Sequence, residues 1–470
     1  MTEDRATDAV RFVDERVGAS PFLRKALRYV FPEHWSFLLG EIALYSFVVL
    51  VATGIFLACF FDADTASTVV YDGPYGPLAG REVTKAYDSA LGLSFDVPGG
   101  LLMRQTHHWA ALVFLAAIVL HLLRVFFTGA FRRPRQLTWA IGVTLLGLGV
   151  FEGFAGYSLP DDLLSGMGLA IAYAVAASIP IVGGDVAAAV WDGQYPGSGV
   201  IEDRLYLLHI LIVPVTMAAL IGAHLALIVR THHTQFRGPG RREDNVVGAP
   251  AWPTYATRSL GLLLSTAAVL VLLGGLVQIN PVWQWGPYET GLSTNGAQPD
   301  WYLGWLIGAL RLMPPVEPEL FGVTLVPNPF WGGLVFPTIV FGILYLIPTA
   351  DRLLARDHVE HHLLDRPRDH PWRTAFGAAL FSWVTLVFLA GSADRLFLEL
   401  GWSYESQVWI FRALVFVVPP VAFVLTRHAC EDLRRSGARP LRGASRRVVR
   451  RTPGGGFEVG EASPPDEASP

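Results

Sequence analysis

The chain has 470 residues, of which 52% are apolar and 16% charged, with a net charge of −4; soluble domains carry about a quarter charged residues. That balance, with a mean hydropathy of +0.40, argues against a soluble catalytic domain, and no nucleic acid is expected as a partner. The two cysteines, Cys59 and Cys430, stand far apart with no CxxC or CxxCH, which excludes a disulfide framework, a zinc ribbon and a covalently attached haem.

The first thirty residues are charged (Asp4, Arg5, Asp14, Glu15, Arg16, Arg24, Lys25) and lack a short apolar core with a cleavage site, so no removable signal peptide is expected. Eight apolar runs follow, at 36–61, 106–128, 137–157, 205–229, 260–279, 330–347, 375–390 and 408–426. Most approach the roughly 20 residues that span a bilayer as a helix; the seventh is short. Basic residues gather in alternate connections: Arg24, Lys25 and Arg28, then Arg132, Arg133 and Arg135, then Arg230, Arg237, Arg241 and Arg242, then Arg352, Arg356, Arg366, Arg368 and Arg373. The other connections are acidic, with Asp62, Asp64 and Asp96, then Asp161, Asp162 and Glu202, then Glu289, Asp300 and Glu317. The positive-inside rule predicts an all-α integral membrane protein of eight transmembrane helices with both termini cytoplasmic.

Two outer loops are long. The loop 159–204 holds an apolar stretch, 167–181, interrupted by Pro180 and glycines, which predicts helices lying in the interface. The loop 280–329 is rich in Trp, Pro and Gly, and loops of that length are usually functional or disordered; the aromatic content disfavours disorder. After about Arg434 the chain turns to Arg, Gly, Pro, Ser and Glu, which predicts a disordered tail.

The chemistry lies in the histidines. In the second span His107 and His121 are fourteen residues apart, about 40° from alignment and roughly 21 Å along the axis. In the fourth span His209 and His224 are fifteen apart, about 60° off in the other sense and roughly 22 Å along the axis. Both spans run inward, so His107 meets His209 near the outer face and His121 meets His224 near the inner one. Ionisable residues inside a membrane usually mark function. Two imidazoles per level would close both axial positions of a haem iron, as an electron carrier requires. The neighbouring His108 competes with His107 as the ligand on spacing alone. Gly40 and Gly54 in the first span, and Gly142 and Gly156 in the third, repeat the fourteen-residue interval, as expected where a flat macrocycle passes a helix backbone closely. Arg104 and Arg124 each stand three residues from a candidate ligand and are candidate propionate partners.

The stretches RQTHHWAALVFLAAIVLHLLR, GYSLP at 156–160, LHILIVPVTMAALIGAH and QPDWY at 298–302 resemble cytochrome b of the quinol–cytochrome c reductase family, over about 31–426. The fifteen-residue interval looks like the chloroplast and Gram-positive branch. The eight-span chain with GYSLPDD and a basic tail is similar to the actinobacterial subunit. The resemblance implies two non-covalent, bis-histidine b haems, the low-potential one on His107 and His209 and the high-potential one on His121 and His224. It implies a quinol-oxidation site at Pro299, Asp300, Trp301 and Tyr302, where the family carries Glu in place of Asp300; the shorter acid draws the carboxylate back by one methylene. For the inner quinone site it points to Arg230, His232, His233, Arg258 and Ser259, the last two standing where mitochondrial relatives carry Lys-Asp. A proton-donating acid is missing there. Glu41 and Glu152, within or near the edge of spans, are candidates for a proton path.

The function implied is oxidation of quinol, with menaquinol expected, at the outer face of the plasma membrane and reduction of quinone near the cytoplasm. Expected partners are a Rieske iron–sulfur subunit, a c-type cytochrome subunit, a terminal oxidase in a supercomplex, a second copy of the complex and membrane lipid. The expected organisation is a cytoplasmic segment 1–35, a di-haem four-helix bundle 36–230, a cytoplasmic connection 231–259, a four-span region with the quinol-site loop 260–430 and a disordered cytoplasmic tail 431–470. Two rivals are the haem-b anchor of another quinone-linked enzyme, with four or five spans and no PDWY loop, and a haem-free transporter, which predicts paired broken helices and internal repeats.

Overall fold

In a computed structural model that describes Phe12, Arg16 and residues 27–293, 298–437, 447–451 and 457–461, the chain is mostly helical. Among the described residues eight helices are long and apolar enough to cross a membrane: Trp35–Ala58, Gly100–Phe127, Gln136–Tyr157, Val200–Thr231, Ala251–Leu276, Trp331–Ala355, Pro371–Arg395 and Tyr404–Ser436. These spans are numbered first to eighth in chain order.

Several helices run past the apolar segments of the sequence because their polar end residues are paired by the protein. The second begins six residues before its expected start. There the Gln105 side-chain amide donates to Ile279 O at 2.8 Å and its oxygen accepts from Ile279 N at 2.9 Å, while Arg104 donates to Asn280 O at 3.1 Å. The seventh, expected to be short, extends over Pro371–Glu399. Its Arg373 donates to Asp365 at 2.7 Å, and its Asp394 accepts from Arg311 at 2.9 Å. Hydropathy alone truncates such helices, because the partner that neutralises each charge lies elsewhere in the chain.

The first span packs on the second and the third on the fourth, and the second also meets the third. The fifth lies against the first and second, the sixth against the third, and the seventh pairs with the eighth. Midway along the first four spans sits an apolar cluster that includes Ala43, Phe114, Leu115, Leu145, Val213 and Met217. Phe114 lies seven residues from both His107 and His121, so this cluster separates the two histidine levels.

The two long loops are folded. Loop 159–204 forms helices Leu163–Ala177 and Gly183–Trp191, separated around Pro180. Loop 280–329 contains a helix, Gly304–Leu312, which the sequence reading did not resolve; it packs on the seventh span where Gly308 meets the Val387 carbonyl. At the other end of the spans Asp365, almost wholly buried, accepts from Arg373 at 2.7 Å and pairs with Arg132 at 2.8 Å and His370 at 3.1 Å, and so ties the connections there together.

The tail after about Arg434 is described only in part. The eighth helix continues to Gly437, and Arg447–Arg451 pairs antiparallel with Phe457–Glu461. The register sets Phe457 opposite Arg451 and Glu461 opposite Arg447 along the backbone. The rest of the tail lies outside the described residues.

Candidate cofactor and substrate sites

The four histidines face one another in two layers. An iron bound by two imidazoles at about 2 Å each needs ring centres roughly 6 Å apart; those of His107 and His209 lie 6.1 Å apart. Each ring is held from behind. Nδ1 of His107 lies 2.9 Å from Thr53 Oγ1, and Nδ1 of His209 lies 3.1 Å from the Glu152 carbonyl oxygen and 3.0 Å from its carboxylate. Each Nε2 is thereby left for a metal, the usual arrangement of a ligating histidine. At the inner level the Nδ1 atoms of His121 and His224 are buried without partners, a costly state for polar atoms in an apolar interior.

The glycines match the histidines one to one. A Cβ added at Gly54 would stand 3.3 Å from His107, one at Gly40 3.2 Å from His121 and one at Gly142 3.8 Å from His224. At Gly156 it would overlap the ring of His209. Two glycines therefore serve each level, one from the first span and one from the third.

The fifteen-residue interval has a local cause. The fourth span contains a single π-helical turn, Leu208–Ile212, around His209, followed by Pro214 at the start of the next α-helical stretch. A π turn absorbs about one extra residue, and such turns gather at functional sites. With that residue removed, His209 and His224 have about the 40° stagger of His107 and His121. The two helices then present matched pairs.

Two arginines are left with unused donors. Arg104 keeps Nε and Nη2 buried and unpartnered, and Arg124 its Nε; Arg124 also lies 4.6 Å from the centre of the Phe37 ring. A carboxylate-bearing group would satisfy both. Arg230, by contrast, is exposed at the end of the fourth span. These donors, the glycine cradles and the two facing imidazole levels together fit two bis-histidine haems with propionates.

His108 turns away from the histidine pair. Its Nε2 lies 2.8 Å from both carboxylate oxygens of Asp300, and Tyr302 donates to Asp300 Oδ2 at 3.1 Å. Tyr302 sits where Gly153 of the third span has no side chain to exclude it. Burial first, and the neighbouring Asp300 second, push the Tyr302 phenol well above its ordinary range, so it stays a neutral donor. Trp301 is partly exposed and meets Tyr302 and Phe388 edge-on. His107, His108, His209, Arg104, Asp300 and Tyr302 all line one cavity of about 420 Å³. The outer histidine pair and the tetrapeptide thus share a chamber.

Thr53, Gly153 and the contact between Glu152 and His209 went unnoticed in the sequence, as did the anchor of the tetrapeptide. Gln298, just before Pro299, donates to Asp394 at 3.0 Å, and Arg311 meets the same carboxylate through two nitrogens at 2.9 and 3.2 Å. No spacing signal links positions 298, 311 and 394. Asp394→Ala is expected to destabilise the protein by about 3 kcal/mol, since it leaves the Arg311 charge unpaired. It should also raise the KM for the quinol that the resemblance implies. Thermal unfolding and steady-state kinetics check both, and an unchanged KM would show that the anchor does not position the loop.

For the inner face, the Tyr29 hydroxyl lies 3.0 Å from His233 Nδ1, His232 stacks near Tyr29, and Arg258 pairs with Glu33.

The family model described as Cytochrome b(N-terminal)/b6/petB matches residues 112–287. The chain is 46% identical to the "Cytochrome bc1 complex cytochrome b subunit" of Mycobacterium tuberculosis, over 95% of this chain and 81% of that protein. It is 44% identical to the protein of that name in Corynebacterium diphtheriae and 43% identical to the one in Streptomyces coelicolor, each over 95% of this chain and 82% of the relative. A solved structure titled "Hyperthermophilic respiratory Complex III" shares the fold, with a TM-score of 0.62 at 20% identity, covering 88% of this chain and 99% of its own.

Proposed function

The chain belongs to the cytochrome b subunits of the cytochrome bc1 complex, and we propose that it oxidises quinol at the outer face and delivers electrons to a quinone near the cytoplasmic face. The observation that carries this reading is the pair of histidine levels, each opposed by two glycines and separated by an apolar cluster. His107 and His209 would hold one b haem and His121 and His224 the other, with Arg104 and Arg124 on the propionates. When bound, such a haem supplies one-electron redox chemistry with no open coordination position. Optical redox titration of the purified complex tests this: two b-type transitions are expected, and a single one would end it.

The chain's own residues handle the protons. Quinol entering the outer chamber presents a hydroxyl to Asp300, whose carboxylate takes the proton. His108, bonded to both Asp300 oxygens, holds that carboxylate in place, and Tyr302 donates to one of them. Asp300→Asn is expected to slow quinol oxidation by roughly 100-fold, the scale of general-base catalysis, and to leave both haem spectra unchanged. Unaltered turnover would assign the proton to another group.

Menaquinol is the proposed substrate, as the resemblance to the actinobacterial subunit implies. The proposed setting is the plasma membrane with both termini cytoplasmic, in a dimeric complex with a Rieske iron–sulfur subunit, a c-type cytochrome subunit and, in a supercomplex, a terminal oxidase. Residues 36–230 form the di-haem unit and 260–430 carry the quinol-site loop.

A further inference from the structure

The loop after the third span carries two acids that the quinol chemistry above does not use. Tyr157, Leu159 and Pro160 line the chamber that holds Asp300, and Asp161 and Asp162 follow them directly. Asp162 is 1% exposed. Its Oδ1 accepts from Ser165 N at 2.8 Å and caps helix Leu163–Ala177, while its Oδ2 is buried with no partner among the described residues. Glu202, 7% exposed at the start of the fourth span, likewise keeps Oε2 buried and unpartnered. Asn280, on the chamber wall, leaves its Oδ1 in the same state. Acceptor oxygens without donors are costly in an interior, and these three call for a ligand that brings protons, as water does.

The acids are graded outward. Asp161 is half-buried, and its Oδ2 accepts from the Thr84 hydroxyl at 2.7 Å. The next residue, Lys85, is partly exposed and pairs with Asp64 at 3.1 Å. Arg104 from the second span, Tyr157 from the third, Glu202 from the fourth, Tyr87 from helix Lys85–Phe95, and Tyr195 and Tyr288 from the loops face the two acids. Burial, and at Asp161 the charges of Glu202 and Asp162, push the carboxyls up to about 7 at Asp161 and about 6 at Asp162 against the hydrogen bonds from Thr84 and Ser165. Such groups take up and release a proton near neutral pH. Tyr157 stands within electrostatic reach of both Asp162 and Asp300, so the pair lies next behind the acid that meets quinol.

We infer that Asp162 and Asp161 form the proton exit of the quinol site: Asp162 takes the proton from Asp300 through water, and Asp161 hands it to the surface beside Thr84. The inference rests on the function proposed above, which puts a proton on Asp300. In each passage the quinol O–H bond breaks, and an O–H bond forms in turn on Asp300, on Asp162, on Asp161 and in bulk water. Every carboxyl returns to its starting state, and no electron moves along the relay. Neither acid touches quinol; both act through Asp300.

The test uses the intact complex with 2,3-dimethyl-1,4-naphthoquinol as electron donor and compares Asp162→Asn, Asp162→Glu and Asp161→Asn. Asparagine keeps the helix cap at position 162 and tolerates the left-handed backbone at position 161, where φ is 52°. In the wild type, quinol oxidation should slow as pH falls through about 7 to about 6, where the pair becomes protonated and stops accepting. Asp162→Asn should lower the rate above that range at least about tenfold and remove the inflection, with KM within about threefold of wild type. Asp162→Glu should restore much of both. Asp161→Asn should delay proton release into the medium, followed with a pH-indicator dye in a single turnover, at least about tenfold relative to haem reduction. A wild-type rate in Asp162→Asn, or a slowed rate that keeps the wild-type pH profile and is not rescued by Asp162→Glu, would overturn the relay. Prompt proton release in Asp161→Asn would do the same. If only this inference fails, the wild-type complex still oxidises the naphthoquinol and Asp300→Asn still slows it. If the wider function fails, the wild type itself does not oxidise it.

Discussion

Replacing His224 by alanine is expected to yield a complex that retains one b haem of two, the one at the outer level. The two levels are structurally separate: roughly 21 Å of helix lies between them, and Phe114, Leu115 and Met217 pack the interval. His224 faces Gly142 and no outer-level residue, and its Nδ1 has no protein partner to lose. The outer pair keeps Thr53 and Glu152 behind it. Removal of a supporting contact alone commonly costs a metal site 10- to 100-fold in affinity or activity, so loss of a ligand should lower inner-face quinone reduction by at least about 100-fold. The reduced-minus-oxidised spectrum, scaled to protein, should show half the haem. Loss of both haems, or of neither, would contradict the pairing.

The parts of this protein that were legible in the sequence are those set by periodicity. Eight apolar runs announced eight membrane-crossing helices, and intervals of fourteen and fifteen residues brought His107, His121, His209 and His224 to two levels. The glycines Gly40, Gly54, Gly142 and Gly156 could be chosen for the same reason. What periodicity missed was long-range pairing. Whether His107 or His108 faced inward was open until Asp300, almost two hundred residues later, was seen to hold His108. Asp394 lies just past the seventh apolar run and Arg311 within a long loop, and neither carries a sequence signal, although together they anchor Gln298. The π turn at Leu208–Ile212 had a weak local signal in Pro214, which lacks the N–H that a regular turn would use. Glu41 was visible as a charge in an apolar helix, but its partners Tyr45 and Ser259 were not, because one of them lies on another span.

The glycines give a prediction whose sign separates cofactor space from helix chemistry. Alanine is the better helix former by about 1 kcal/mol, so on propensity alone every Gly→Ala change in these spans should stabilise the fold. Gly156→Ala is expected to do the reverse. Its Cβ would stand 2.8 Å from His209 Nε2 and 3.0 Å from Nδ1, closer than van der Waals contact allows, and Glu152 blocks the ring from retreating. The ring must tilt out of line with His107, so the outer haem signal should fall to a small fraction of wild type while the inner one persists. Gly142→Ala puts its Cβ 3.8 Å from His224, an ordinary contact, and Gly40→Ala and Gly54→Ala fall between, at 3.2 and 3.3 Å. Haem content in the four variants should therefore rank Gly156→Ala lowest and Gly142→Ala highest, each deficit confined to the level that its glycine faces. Equal loss in all four would mean that small-residue helix packing, rather than room for the imidazoles and what they bind, explains the fourteen-residue glycine intervals.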